Sequence, residues 1–559
     1  MLNTRQHAGG SRSLPTARNV VAIGETNRNV LDVGANGRIV TKHNSVVANC
    51  RDSGSAQRSV RTLVVLALLL PKTAGASPEV ALDDMEYLRL HELQDSGLVP
   101  VSILSTIGPI TEAESQSLSH TAGQPFSGFQ LDPIERSFWA RPVDRLSSRW
   151  SLADDEPRTY STAARPRQML GAVELVCEHQ EGRPCGNGGY GSVELDSASG
   201  YGSWLSAFSR LRAGAATNSQ APVGLEVDRL YANLELGPAQ LMLGRDVLVI
   251  GPGRHTQLLW GTNAPPLDRV ALTLRRLEVP SIPLALGGGY ILGRLDGPQR
   301  FKNSLVSIAR VHVEIADRLC LGMTNLLELG GEGAPHVGLW QFVKEHVSRT
   351  GRQQDGGISN RRLGYDATLQ LKPLRSTLYT EFVFEDWRAQ FRSTLAYDVD
   401  YLLGWSTSGL GRDGNYGFVV EFQRTGVRSQ EHSVFTSGMT SGGHAVGSPL
   451  GPDAISVYAS PHWRVHERVT LSPWTELIHI GSDTYVFPET SGIERTSSGL
   501  AEIRWRAGLS ALATVRDNMW LEAGGFFERV HNEGFQTTAR DNAGISLSVN
   551  WRPTATSVP

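Results

Sequence analysis

Between Met169 and Trp551 apolar and polar residues alternate with a period of two rather than 3.6. The clearest alternation runs from Tyr416 to Gln423 and from Ile545 to Trp551, and a noisier one from Leu305 to Ile315. Turn signals recur between such runs, as in Gly186-Asn187-Gly188-Gly189, Arg412-Asp413-Gly414-Asn415 and Asn532-Glu533-Gly534. This pattern predicts antiparallel strands joined by hairpins, an all-β fold over most of the chain.

Residues 1–76 form a basic leader with ten Lys and Arg against three acids. Arg58 and Arg61 precede an apolar run at 63–70, and Ala74 and Ala76 supply the small residues that a signal peptidase reads. We therefore predict a signal peptide over about 58–76 with cleavage before Ser77. Nearly sixty residues precede it, so either 1–57 is a long presequence or synthesis starts nearer Val60. An organellar transit peptide is a third alternative.

Two classes of exported protein remain for the rest of the chain. Beyond residue 76 no run of about 18 apolar residues occurs, which excludes a helical membrane protein and leaves a soluble protein or a transmembrane β-barrel. The β region has no break into sandwich-sized units, and its last alternation ends on the aromatic Trp551. Aromatic residues stand at predicted strand ends, where interfacial girdles form, namely Trp204, Tyr379, Trp387, Trp405, Trp505 and Trp520.

These features predict an all-β transmembrane protein, a closed antiparallel β-barrel of about 16–18 strands with a short N-terminal helical region. The expected divisions are a helical region at 77–165, the barrel at 166–551 and a tail at 552–559. A capping box at 83–86 predicts a helix that ends at Gly97, and weaker signals predict one at 111–120. A third helix, opening at Asp132-Pro133, would carry Phe138 and Trp139.

Composition limits the partners and the redox chemistry. The net charge of −3 gives no basic footprint for a nucleic acid. Cys177 and Cys185 either clip a loop or serve as small core residues, and their spacing does not suggest zinc. We expect no metal and no cofactor.

The most informative segment runs from Gly244 to Pro266 and contains Gly251-Pro252-Gly253 and Asn263-Ala264-Pro265. It resembles the Gly-Arg, Trp-Gly-Pro-Gly and Asn-Ala-Pro signature of the capsule-assembly outer-membrane proteins, the Wzi family, with Ile250 where that family has Trp. Further likeness lies at 360–366, at 378–386 and in the helix-ending phrase 97–100. The resemblance implies an eighteen-stranded barrel with a periplasmic helical bundle in a Gram-negative outer membrane. It also implies a lectin that tethers capsular polysaccharide to the cell surface, among outer-membrane lipid and lipopolysaccharide.

Candidate polysaccharide-binding residues follow from chemistry and from that signature: Arg245, Arg254, His255, Asn263, Asp386 and Trp387. Arginine pairs with planar carboxylates of acidic sugars, and Trp can stack on a sugar ring. Each has a structural alternative. Arginines inside a barrel pair with acids of the wall, Gly251-Pro252-Gly253 makes a tight re-entrant turn, and Trp387 can lie at the membrane interface.

No sequence motif gives clear evidence of an enzyme. Gly409 to Gly414 matches G-x-G-x-x-G but joins two strand-like segments, which indicates a hairpin turn rather than a phosphate site. The acids Glu381 and Glu385 would suit glycoside hydrolysis only if they flanked one bond. We therefore predict a binding protein rather than an enzyme. The alternative is an open-lumen porin specific for saccharides or organic ions.

Overall fold

The computed structural model describes residues 85–102, 104, 107–108, 138–153, 188–202, 204–217, 224–297, 299–347, 359–385, 399–411, 414–430, 432, 434–435, 437–481, 483–486, 494–497 and 499–553. The predicted signal peptide, the predicted helix at 111–120, the cysteines Cys177 and Cys185, and the candidates Asp386 and Trp387 lie outside these residues.

Eighteen strands form one closed barrel. Each strand pairs antiparallel with the barrel strand next to it along the chain, and β24 pairs with β2 to close the wall, with Leu146 opposite Trp551. The barrel strands are β2 (Phe138–Ala153), β3 (Gly188–Tyr201), β4 (Leu205–Ala216), β5 (Gly224–Leu236), β6 (Ala239–Asp246), β8 (Leu267–Glu278), β9 (Leu284–Arg294), β10 (Leu305–Ile315), β11 (Leu319–Leu329), β12 (Ser359–Leu371), β13 (Ser376–Phe384), β14 (Val399–Leu410), β15 (Tyr416–Arg424), β18 (Ala454–His466), β19 (Val469–Ile480), β22 (Glu502–Arg516), β23 (Met519–His531) and β24 (Ala539–Trp551). Closure leaves no strand edge unpaired, as a membrane requires.

The remaining elements are short. Three two-stranded pairs are formed by β1 (Ile107–Gly108) with β7 (Val249–Ile250), by β16 (Thr440–Ser441) with β17 (His444–Ala445), and by β20 (Asp483–Val486) with β21 (Glu494–Ser497). The helices are α1 (Met85–Asp95), α2 (Leu339–Val347) and two single 3-10 turns at Lys372–Leu374 and Glu533–Phe535. Neither α1 nor α2, the two α-helices in the described part of the chain, is long and apolar enough to cross a membrane.

The strand alternation separates two chemically different faces. Outward side chains are mostly apolar and exposed, as at Leu243, Val311 and Ile545, whereas inward side chains include many buried arginines and acids. This is the apolar-out, polar-in pattern of a membrane barrel. The predicted alternations at 305–315, 416–423 and 545–551 all lie in barrel strands.

The two ends of the barrel differ in their connections. At one end, strands are joined by turns of a few residues, such as 237–238 and 467–468; at the other, several connections are much longer, as at 425–453. We call these the short-turn end and the long-loop end. Outward aromatic residues gather at the short-turn end and form a girdle of Phe138, Tyr201, Trp204, Tyr416, Trp463 and Trp551.

Three expectations need correction. Phe138 and Trp139 do not lie on a helix but begin β2, so the barrel starts at residue 138 rather than 166. Phe138 and Trp139 pair with Tyr201 and Gly200 of β3, and this pairing overrides the local helix signal. Tyr379 and Trp520 are buried and face the lumen, so they do not belong to a girdle. The first predicted helix, in contrast, is present as α1, and Gly97 follows it with φ of +75°.

Candidate functional site

The segment between β6 and β8, residues 247–266, folds into the lumen instead of forming a hairpin, and we call it the plug segment. Its strand β7 pairs with β1, and Ile250 also bridges to Trp260 within the segment. Leu258, Leu259 and Trp260 are almost fully buried in the main hydrophobic core. The barrel interior is therefore a packed core at this level.

Two glycines of the plug segment lie where no side chain fits. Gly251 has φ of +125°, and a Cβ there would lie 2.7 Å from a carboxylate oxygen of Glu381. A Cβ on Gly253 would lie 1.7 Å from the carbonyl oxygen of Thr256. Gly251-Pro252-Gly253 is thus a re-entrant turn that needs glycine for close backbone approach.

Glu421, on β15, holds the first half of the plug segment. Its Oε1 accepts the backbone N–H of Arg254 at 2.6 Å and that of His255 at 3.0 Å, and its Oε2 accepts the N–H of Thr256 at 3.1 Å. The hydroxyl of Tyr379 donates to the same carboxylate at 2.8 Å. One buried side chain therefore satisfies three consecutive backbone donors that have no strand partner.

Glu381, on β13, holds the second half in the same way. Its two oxygens accept the backbone N–H groups of Leu258 and Leu259 at 2.9 and 3.0 Å. Because these bonds run from the wall to the main chain of the plug segment, they fix its position whatever the side chains at 258 and 259 are.

Helix α1 enters the lumen from the short-turn end and meets the plug segment through an ion pair. The Arg254 guanidinium lies 2.6 and 3.1 Å from the two oxygens of Asp95, the last residue of α1. Ser406 and Ser408 of β14 donate to the same carboxylate, each at 2.9 Å. Burial, and then the Arg254 guanidinium, hold the pKa of His91 on α1 well below its ordinary range.

From the long-loop end the connection 425–453, which we call the cap segment, closes over the plug segment. The backbone N–H of Gly261 donates to the carbonyl of Val446 at 2.7 Å. The side-chain amide of Asn263 donates to the carbonyl of Ala445 at 2.9 Å. Helix α1, the plug segment and the cap segment thus follow one another through the lumen, each joined to the next by these contacts.

His255 lies inside the lumen against strands β18 and β19 of the wall. Its ring stacks on Tyr458 with 3.7 Å between centroids and 4° between planes, and its Nε2 lies 3.5 Å from Oε1 of Glu476. Arg245 has a different environment. It lies on the outward face of β6 at the long-loop end, half-exposed, 3.7 Å from Asp268 and 4.0 Å from Asp296.

The four predicted residues that the structure describes, Arg245, Arg254, His255 and Asn263, do not lie together. Arg254, His255 and Asn263 all belong to the plug segment but contact different parts of the protein, namely α1, the wall and the cap segment, while Arg245 lies on the outer face of the wall. Sequence reasoning missed Glu421 and Asp95, which hold the plug segment. The sequence did contain a signal for Glu421. It alternates along β15 with apolar residues that face outward, so its side chain points into the lumen.

Away from the plug segment, inward charges pair within the wall. Arg210 of β4 contacts Asp196 of β3 at 2.7 and 2.9 Å, and Arg145 of β2 reaches the same carboxylate at 2.9 Å. Arg212 similarly contacts Glu194 at 3.1 Å. We call this set the wall ladder. Within the part of the chain that the structure describes, no group of His, Cys, Asp or Glu is arranged to hold a metal ion.

Comparison with known proteins settles the family. The sequence profile of the family described as capsule assembly protein Wzi matches residues 172–542, about two thirds of the chain. The chain belongs to the Wzi family. A search of curated proteins finds no match.

Among solved structures, the barrel is similar to Wzi of Escherichia coli, described as an outer membrane protein involved in group 1 capsule assembly and a carbohydrate-binding β-barrel. The TM-score is 0.60 at 15% identity, covering 86% of this chain and 100% of that one. OprD of Pseudomonas aeruginosa matches with a TM-score of 0.40 at 12% identity over 76% and 98% of the two chains. OccK1 of the same organism matches at 0.41 and 13% over 73% and 96%.

This Wzi-family chain is an outer-membrane β-barrel of a Gram-negative bacterium. In such barrels the short turns face the periplasm and the long loops face the outside. Helix α1 therefore lies on the periplasmic side of the lumen, and the cap segment lies on the extracellular side.

Proposed function

We propose that this Wzi-family barrel binds capsular or related surface polysaccharide at its extracellular face and retains it on the cell, without catalysing a reaction. The observation that carries the proposal is the closed lumen, in which Glu381 and Glu421 fix the plug segment between α1 and the cap segment. A barrel built in this way presents a platform rather than a passage. The carbohydrate binding described for the E. coli protein, which shares the fold, is consistent with that use.

The same contacts argue against hydrolysis by the acids that the sequence offered. Glu381 is engaged by the plug segment. Glu385 accepts bonds from Arg362 at 2.7 Å and from the backbone of Gln430 in the cap segment at 2.8 Å. Both carboxylates therefore stabilise the closed lumen, and neither is presented to a sugar.

We place the polysaccharide contacts in the extracellular loops. Asp386 and Trp387 follow Glu385 directly, and Glu385 joins the wall to the cap segment, so we retain these two residues as the leading candidates. Arg254, His255 and Asn263 act, in this proposal, by holding the platform together. Arg245 faces the surrounding lipid and lipopolysaccharide, and no nucleic acid takes part. Contacts that are weak singly gain strength along a repeating polymer.

The test is a deletion strain complemented with single variants. Loss of the protein is expected to leave polymer synthesis intact while capsule is released into the medium. Trp387→Ala should reproduce part of that release, whereas Arg294→Ala, an exposed charge on the outward face of β9, should retain capsule normally. Normal attachment of capsule in the deletion strain would refute the function. Normal attachment in Trp387→Ala alone would refute only the site.

Electrical recording separates this proposal from the porin alternative. Purified wild-type protein in a planar bilayer is expected to show no steady open conductance, because the lumen is filled. A stable diffusion pore with preference for saccharides or organic ions would favour the porin.

A further inference from the structure

Helix α2 lies on the outside of the barrel. Alternation along β10 and β11 points Ser307 and Leu327 outward, yet both are completely buried, while Val311 and Met323 on the same faces are exposed. Something must therefore cover the outer wall at the extracellular ends of these strands. The cover is the β11–β12 connection, which contains α2.

Polar contacts fix α2 to that wall. The Nε2 of His346 lies 2.7 Å from the hydroxyl of Ser307, and the hydroxyl of Ser359 donates to Glu345 at 2.5 Å. Arg361, which points outward from β12, forms an ion pair with Glu345 at 3.5 Å. These bonds join one face of α2 to β10 and β12, so the helix is seated on the wall rather than extended from it.

The exposed side of α2 carries three large apolar side chains beside the polar Gln341 and Lys344. Leu339 is 82% exposed, Trp340 76% and Val343 43%. Three large apolar side chains on one short helix would be costly in water, at about 25 cal/mol for each Å² of apolar surface. Their exposure is understandable if the helix does not face water.

We propose that α2 is an interfacial helix that lies in the outer leaflet, with Leu339, Trp340 and Val343 among the acyl chains of the outer-leaflet lipid. The patch continues the lipid-facing wall, since exposed Tyr290 and Leu292 flank the covered region on β9. It lies at the extracellular ends of β9–β12, the level of the membrane interface, where Trp is favoured. This inference does not rest on polysaccharide binding.

The experiment uses site-directed spin labelling of the full chain in vesicles of phosphatidylcholine and lipopolysaccharide. A background with Cys50, Cys177, Cys185 and Cys320 changed to Ser receives single cysteines at Trp340 or Val343. Val311→Cys on the lipid-facing wall is the lipid control, and Glu332→Cys on the exposed part of the same connection is the aqueous control. Relative collision rates of the label with oxygen and with a water-soluble nickel chelate report its surroundings.

Labels at 340 and 343 are expected to favour oxygen over the nickel chelate several-fold, as the label at 311 does, and opposite to the label at 332. Nickel accessibility equal to that at 332 would overturn the proposal. Protection from both reagents would also overturn it, because a protein surface, such as a second copy, would then cover the helix. Heat-dependent gel mobility verifies each variant's barrel. If a label prevents folding, fluorescence quenching by brominated lipid, compared between wild type and Trp340→Phe, answers the same question.

Discussion

The barrel wall uses its buried charges in two ways. In β2–β4 the inward acids pair with arginines of neighbouring strands, so that Asp196 lies between Arg145 and Arg210 and the charges of the wall ladder stabilise the wall itself. In β13 and β15 Glu381 and Glu421 instead accept backbone N–H groups of the plug segment. The two regions have the same residue types and the same phase of alternation. They differ because the carboxylates of β13 and β15 face main-chain N–H groups of the plug segment that have no strand partner.

The largest effect is expected from removing both plug-binding carboxylates. In Glu381→Ala/Glu421→Ala five buried backbone N–H groups lose their acceptor, at on the order of 1–3 kcal/mol each. The plug segment should detach while the barrel stays closed, and single-channel recordings should show frequent open events. Glu381→Gln/Glu421→Gln, which keeps one acceptor oxygen on each side chain, is the matched control and should open less. A silent bilayer with the double alanine variant would contradict this use of the two glutamates.

A wall-ladder variant should destabilise the barrel without opening the lumen. Arg210→Ala leaves Asp196 buried with a single arginine, and breaking such a pair costs about 3–5 kcal/mol. The midpoint temperature of the heat-induced gel shift should fall, while conductance stays closed. Leu211→Ala, one residue further along β4 and facing outward, serves as control and should change the midpoint less. If Arg210→Ala opened the lumen without destabilising the barrel, the charges of the wall ladder and the plug-binding glutamates would not have distinct roles.

The ion pair between the plug segment and α1 should have an intermediate effect. Arg254→Ala removes the partner of Asp95, but Ser406 and Ser408 still donate to it, so we expect roughly 2 kcal/mol, below the usual value for a buried pair. Hydrogen exchange over residues 85–102 should then quicken about 30-fold. Arg464→Ala, which removes the half-exposed pair with Glu92 on the same helix, should change exchange far less. Equal effects of the two would show that burial of the Asp95 pair is unimportant.

The smallest effect is expected at the outer rim. Arg245 and Arg294 share Asp268 in the open, and exposed pairs contribute about 0–1 kcal/mol. Arg245→Ala should leave the gel-shift midpoint and capsule retention close to wild type. A clear loss of capsule in this variant would return Arg245 to the binding site.

Much of the architecture could be predicted because alternation is a local signal. Period two across 169–551 and the terminal Trp551 indicated a closed barrel, and its eighteen strands agree with the expected number. The error at Phe138 and Trp139 arose because their pairing partners, Tyr201 and Gly200 of β3, lie more than 60 residues along the chain. The girdle assignments of Tyr379 and Trp520 failed because one step of register moves a side chain from lipid to lumen.

The candidate site was less predictable. The sequence alone determined the barrel, the glycine-containing re-entrant turn and, through the 244–266 segment, the family resemblance, while the signal peptide at about 58–76 stays a prediction. Only the tertiary structure decided that Arg254 meets Asp95, that Glu421 meets the backbone at 254–256, and that α2 covers Ser307. The physical reason is distance along the chain. Strand pattern depends on neighbouring residues, whereas Asp95 and Glu421 contact plug-segment groups more than 150 residues away, which only closure of the barrel brings within hydrogen-bonding distance.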